Sequence, residues 1–268
     1  MKAYLLAAGY ATRMYPLTRD QPKPLLEVAG APILTHILRR VLALDGLSEV
    51  VVIANARFAG AFESWRRSLD VRVPVRVLND GSTCDDDKLG AIGDLAFALE
   101  AAPPGDEDWL VAAGDNLLSF DLRVLQRAFE ATGAPGARSP LLVVRRVEPA
   151  PVPASGVDGS ADRYNEVVVD AGGRVVGFRE KPRDRRSELA AIALYLLPAK
   201  AAGALARYLA DGGNPDAPGY FIAWLVERSE VRAATLPGKW FDVGSLDGLA
   251  EARRRFVPEG APAPRRGG

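Results

Sequence analysis

The 268-residue chain has one cysteine, Cys84, and one histidine, His36. A single cysteine excludes an internal disulfide, and so little Cys and His excludes a Cys/His zinc site and a Ser-His-Asp triad. Any metal chemistry must use oxygen ligands. Net charge is missing as well, because Lys+Arg and Asp+Glu balance at 34 each. No overall basic field can gather nucleic acid or an anionic membrane surface, so any bound anion must be held by a local constellation. Long hydrophobic runs are also lacking. The opening MKAYLLAAGYATRMYP passes from a short apolar run straight into Gly and Arg, which is too brief for a signal peptide or a spanning helix. The expected location is the cytoplasm. Gly (26) and Pro (20) stay below the level of a low-complexity chain, while 48% hydrophobic and 25% charged residues describe a soluble globular protein. The length suits one large α/β domain or two small ones.

Apolar runs of strand length recur at residues 3–7, 50–54, 73–78 and 109–113, with helix-like stretches between the first few. This alternation predicts an α/β fold with a mostly parallel sheet and helices on both faces. The clearest helix begins near Pro32, where Ile33, Ile37 and Val41 stack beside Leu34, Leu38 and Leu42. His36 falls between these stripes and reads as a surface or boundary residue rather than a ligand. Further helices are expected over 56–69, 90–100, 121–131, 200–209 and 246–256, and further strands over 141–147, 165–169, 174–178 and 192–197. The segment 148–163, EPAPVPASGVDGSADR, reads as a long loop over the sheet, either a lid or a plain surface insertion. The tail from Pro258, PEGAPAPRRGG, has the composition of a disordered end.

The first strand runs into LAAGYATRMYPLTRDQPKPLL, and a glycine turn after such a strand is where backbone N–H groups meet phosphate. A dinucleotide fingerprint would need three glycines spaced GxGxxG and a helix behind them. Here Gly9 stands alone and is followed by Pro16, Pro22 and Pro24, which forbid that helix. An oxidoreductase reading is therefore weak. The loop instead holds Arg13, whose planar fork suits phosphate oxygens, and Lys23, a compact charge. Two readings stay open from spacing alone: a triphosphate cradle, or two solvated charges. Asp85, Asp86 and Asp87 do not have the spacing of a calcium loop and read as a solvated turn beside an inert Cys84.

Gly9-Tyr10-Ala11-Thr12-Arg13 followed by Pro22-Lys23-Pro24-Leu25-Leu26 resembles the signature of the sugar-1-phosphate nucleotidyltransferases, in particular their glucose-1-phosphate thymidylyltransferase-like branch. The resemblance continues to about Phe256 and implies a mostly parallel, Rossmann-like mixed sheet in one domain over 1–256. The nucleotide-binding half would span about 1–147 and the sugar-phosphate half about 148–256, with 257–268 as tail. Asn79-Asp80-Gly81 and Leu89-Gly90-Ala91-Ile92-Gly93-Asp94 resemble the nucleobase-reading segments. With Ala8 and Gly9 they imply nucleotide contacts at Asn79, Asp80, Gly81, Leu89 and Gly90. Gly114-Asp115-Asn116 and Trp240-Phe241-Asp242-Val243-Gly244 match the two metal aspartates, and Glu180-Lys181-Pro182 the sugar-phosphate motif.

The resemblance implies attack of a sugar-1-phosphate oxygen on the α-phosphorus of a nucleoside triphosphate, with dTTP or UTP favoured and pyrophosphate released. Arg13, Lys23 and Lys181 would act as the catalytic cations, Asp115 and Asp242 would hold Mg²⁺, and Asn165, Glu180 and Lys181 would bind the sugar phosphate. Taken alone, Asp115 is a turn residue before a helix, Asp242 an N-cap and Lys181 a surface charge. The chain departs from the pattern at Ala11, at Asn165 where a glycine is usual, and at Ile192-Ala193 where a small polar residue and glycine are usual. The last two changes predict a sugar ring with altered or fewer hydroxyls. Two alternatives are a noncatalytic nucleotide-sugar-binding paralogue and a nucleotidyltransferase using CTP, GTP or ATP with a non-glucose phosphate.

Overall fold

The computed structural model describes residues 1–147 and 164–258. The lid reading of 148–163 and the tail reading from 259 onward lie outside the described residues.

Strands form where apolar runs are bounded by turn residues. In chain order they are β1 (Lys2–Leu6), β2 (Glu27–Val28), β3 (Ala31–Pro32), β4 (Glu49–Ala54), β5 (Val75–Asn79), β6 (Trp109–Ala113) and β7 (Asn116–Leu118). They continue with β8 (Leu141–Arg146), β9 (Glu166–Val169), β10 (Val175–Arg179), β11 (Leu189–Leu197), β12 (Arg232–Ala234) and β13 (Trp240–Asp242). The helices are α1 (Ile33–Val41), α2 (Ala59–Arg67), α3 (Ala91–Ala101), α4 (Leu122–Glu130), α5 (Ala201–Ala210), α6 (Pro218–Val226) and α7 (Leu246–Arg255).

Seven strands make one sheet in the order β12-β8-β11-β6-β1-β4-β5. β5, β4, β1 and β6 run parallel, whereas β11 is antiparallel to both β6 and β8. The mixed, mostly parallel sheet expected from the sequence is therefore present. Its strands come from both sides of the 147/148 boundary, since β11 lies between β6 and β8.

β1 shows how the sheet divides the core. Ala3 and Leu5 face one apolar cluster, with α1, α2, α4 and α7, while Tyr4 faces the other, with α3, α5 and α6. Alternate side chains of a strand point to opposite faces, so both clusters are built from the same strands. None of the helices among the described residues is long and apolar enough to cross a membrane.

His36 departs from the sequence reading. It is buried, its Nε2 lies 2.7 Å from the Val28 carbonyl oxygen, and its ring meets Phe256 edge-on. The β2–β3 ribbon and the end of α7 cover a face of α1 that the two apolar stripes alone would leave open. Burial pushes its pKa down, which favours the neutral ring.

Candidate active site

A cleft of about 520 Å³ opens at the carboxyl ends of the parallel strands, where open α/β sheets take their ligands. The loop after β1 forms its floor and contributes Ala8, Gly9 and Arg13, followed by Lys23. Three anchors hold this loop in place of the helix that its prolines forbid. The buried Asn55 donates its amide to the Ala8 carbonyl (2.7 Å), Thr18 Oγ1 donates to the Ala11 carbonyl (2.8 Å), and Tyr10 Oη lies 3.1 Å from Ser82 Oγ. Ala11 keeps the left-handed backbone (φ 50°) that the replaced glycine would favour. Arg13 stands exposed on a short 3-10 turn, Thr12–Met14, facing the cleft.

Asp115 is brought to this loop by Gly114. The glycine donates its N–H to the Leu6 carbonyl at 2.7 Å, and a Cβ there would come within 2.8 Å of the same oxygen. Asp115 then accepts a hydrogen bond from Lys23 Nζ in an ion pair with both side chains mostly shielded. Asp242 arrives from near the other end of the chain. In the β7–β13 ribbon it lies opposite Asn116, the residue after Asp115. Asn116 is buried and ties three strands together: its amide donates to Ile192 O (2.7 Å) and its carbonyl accepts from Trp240 Nε1 (3.0 Å). Tyr164 Oη donates to Asp242 Oδ2 at 3.1 Å. Both aspartates line the cleft.

The other wall belongs to α3. Gly90, named from the sequence, lines it, as do Lys88, Ala91 and Asp94. Asn79, Asp80, Gly81 and Leu89 do not line the cleft itself. Asn79 Oδ1 accepts from Gly81 N (2.9 Å), Asp80 accepts from Ser82, and Leu89 is exposed. They stand behind the wall, as the turn between β5 and α3.

Glu180 and Lys181 follow β10 at the rim. Lys181 is exposed with a left-handed φ of 43°, and neither residue lines the cleft. Glu180 packs so closely on α6 that a Cβ on Gly219 would overlap its Oε2. Burial pushes the Glu180 carboxyl up, Lys181 pulls it down, and Asp216, a cleft-lining residue, pushes it up. Asn165 is committed elsewhere: its amide donates to Ala191 O (3.0 Å) and its carbonyl accepts from Ala191 N (2.7 Å). Both groups of its side chain thus join β11 at the start of an irregular register. Ala193 lines the cleft and holds φ 51°, again a glycine-like backbone.

Several contributors carry no signal that composition or spacing could reveal. Asn55, Tyr164, Asn116 and Gly219 act through contacts with distant segments. Asp94 was visible as an acidic residue in an otherwise apolar run, Ala91-Ile92-Gly93-Asp94-Leu95.

The chain resembles proteins of one chemistry. It is 26% identical over 262 residues to the UTP–glucose-1-phosphate uridylyltransferase of Synechocystis sp., covering 95% of this chain and 63% of that protein. It is 26% identical to the glucose-1-phosphate thymidylyltransferase of Streptomyces antibioticus, with 98% and 68% covered, and 26% identical to the mannose-1-phosphate guanyltransferase beta-B of Xenopus laevis, with 91% and 61% covered. The chain thus spans about two thirds of the length of these relatives. A crystal structure of UDP-glucose pyrophosphorylase complexed with UDP-glucose superposes with a TM-score of 0.76 at 17% identity, covering 94% of this chain and 97% of that one. The apo form of a UDP-glucose pyrophosphorylase gives 0.74 at 16% identity, covering 94% and 96%. At these identities the superpositions speak for the fold. The family model described as nucleotidyl transferase matches residues 2–257, and the chain belongs to the nucleotidyl transferase family.

Proposed function

We propose that the chain transfers a nucleotidyl group from a nucleoside triphosphate, with dTTP or UTP favoured, to a sugar-1-phosphate, releasing pyrophosphate. The observation that carries this reading is the convergence of Arg13, Lys23, Asp115 and Asp242 on one cleft at the carboxyl ends of the strands. The attacking group is a phosphate monoester oxygen, whose second pKa near about 6 leaves it mostly ionised at neutral pH. No general base is required, and His36, buried against Val28, is not positioned to be one.

The barrier is chiefly the approach of two anions. One unit-charge pair at about 4 Å is worth on the order of 4 kcal/mol at an effective dielectric near about 20. Arg13 offers a planar fork to the leaving β- and γ-phosphates. Lys23, directed by its pairing with Asp115, sets a compact positive charge beside the α-phosphate. Lys181 meets the sugar phosphate from the rim, and Glu180 accepts from a sugar hydroxyl. Catalysis is then positioning and charge stabilisation.

Asp115 and Asp242 supply the donor set for Mg²⁺. Among the described residues no group of three or more His, Cys, Asp and Glu gathers to cage a metal. Two carboxylates fit Mg²⁺, which binds through one or two of them and completes its shell with phosphate oxygens and water. Bound there, the ion would neutralise phosphate charge across the two substrates.

The names of the relatives span uridylyl, thymidylyl and guanylyl transfer, so base and sugar are properties to be measured on this chain. Pyrophosphate release with Mg²⁺, five triphosphates and a panel of glucose-, galactose-, mannose-, amino- and deoxysugar-1-phosphates tests the reading. Release with dTTP or UTP and a sugar other than glucose is expected. Preference for ATP or GTP would overturn the base half, and a clear preference for glucose-1-phosphate the sugar half. No release with any pair would favour the noncatalytic binder.

A further inference from the structure

Asp242 borders two cavities. It lines the substrate cleft, and it also lines a second cavity of about 510 Å³ on the α7 side, together with Tyr164 and Trp240. Tyr164 belongs to the second cavity and not to the cleft, and from there its Oη donates to Asp242 Oδ2 at 3.1 Å. The other carboxylate oxygen is accommodated by a missing side chain, since a Cβ on Gly244 would come within 2.9 Å of Asp242 Oδ1. Tyr164 thus reaches the carboxylate from behind, on the side away from the substrates.

The tyrosine is itself held on two sides. Its ring meets that of Trp240 edge-on, with centroids 5.7 Å apart at 63°, and Trp240 Nε1 donates to Asn116 Oδ1 at 3.0 Å. The next residue along the chain, Asn165, clips the backbone to β11, accepting from Ala191 N (2.7 Å) and donating to Ala191 O (3.0 Å). A glycine in its place would offer no such grip and would free the backbone beside Tyr164. The asparagine that departs from the usual pattern therefore fixes the residue that touches Asp242.

A carboxylate that can turn must give up rotamer freedom when it takes a cation. A phenol donor holds it in one orientation and, being neutral, does not cancel its charge. Partners of this kind behind a metal ligand are typically worth about 10- to 100-fold in metal affinity.

We propose that Tyr164 is a positioning residue for the metal site: its hydroxyl pre-orients Asp242 for a divalent cation, and Asn165 is the clip that keeps the tyrosine there. The assignment rests on the reading of Asp115 and Asp242 as the Mg²⁺ carboxylates.

The test is titration of Mn²⁺, which suits the same oxygen donors, into the full chain, with the free ion followed by electron paramagnetic resonance. Tyr164→Phe keeps the ring against Trp240 and removes the hydroxyl alone. It is expected to weaken Mn²⁺ binding about tenfold or more, with melting temperature retained. Asn165→Gly is expected to weaken it several-fold. In turnover, the Mg²⁺ concentration that half-saturates pyrophosphate release should rise by the same factor in Tyr164→Phe, while kcat at saturating Mg²⁺ is retained. A role in packing alone would lower stability and leave the metal requirement where it is. Unchanged Mn²⁺ affinity in Tyr164→Phe would overturn the role of Tyr164 while leaving the metal site standing, and unchanged affinity in Asn165→Gly would remove the clip. Wild-type Mn²⁺ binding that is absent, or that Asp242→Asn leaves intact, would overturn the metal reading and this assignment with it.

Discussion

Asp242 lies directly opposite Asn116 across the β7–β13 ribbon, one residue from Asp115. This register joins two carboxylates from distant parts of the chain, and Asn116 fixes it by bonding to both Trp240 and Ile192. A change at either aspartate that keeps its shape and removes its charge should therefore alter chemistry without dismantling the fold. Asp115→Asn and Asp242→Asn are each expected to lower pyrophosphate release by about 10² or more, with melting temperature retained. Chelation should abolish wild-type release, and Mg²⁺ should restore it. Unchanged turnover in either variant would remove that residue from the metal site.

The two lysines should fail differently. Lys23 lies in the cleft beside Asp115, while Lys181 stands exposed at the rim. Lys23→Ala is expected to cost about 10² to 10³ in turnover and to impair triphosphate use. Lys181→Ala is expected to raise the KM for sugar phosphate. Steady-state kinetics with each substrate varied in turn separates them, and identical defects would contradict this division of roles.

Gly219 controls Glu180 by leaving room for it. A methyl group there would overlap Glu180 Oε2. Gly219→Ala is therefore expected to displace the carboxylate and raise the KM for sugar phosphate several-fold, about the effect of one lost hydrogen bond. The KM for the triphosphate should stay unchanged. An equal rise in both would assign Gly219 to packing alone.

Stability should carry the mark of Asp94. Its folded-state pKa, about 8, lies above the ordinary carboxylate value of 3.8 because burial, and next the charge of Asp80, disfavour the ionised form. Between these values the native state holds a proton that the unfolded chain has lost, so this group lowers stability as pH rises from about 4 to about 8. Asp94→Asn has no proton to lose. Its melting temperature is expected to exceed that of wild type at pH 7, and the difference should shrink as pH falls toward 4. A constant difference across that range would show that Asp94 ionises normally.

Much of the framework was legible because its signals are local. β1, β4 and β6 are built on continuous apolar runs, preceded in β1 by Lys2 and in β4 by Glu49, and α1 announces itself by two stripes at intervals of four. The prolines after Gly9 foretold a loop instead of a helix, and the short motifs around Arg13, Lys23, Asp115, Glu180 and Asp242 suggested a chemistry. α6 escaped notice because PGYFIAWLV is apolar all round and so has no periodicity to read. The three-residue strands β7, β12 and β13 are too short to show alternation.

What only the tertiary structure decided is which of these residues meet. The β7–β13 register unites the two aspartates, Gly219 admits Glu180, Asn165 is drawn away to Ala191, and Asp80 comes against Asp94. The sequence by itself determined the elements and the chemical groups, because propensity, periodicity and turn chemistry act between near neighbours. Pairing and burial join segments far apart along the chain, and they alone brought Arg13, Lys23, Asp94, Asp115 and Asp242 to the lining of one cleft.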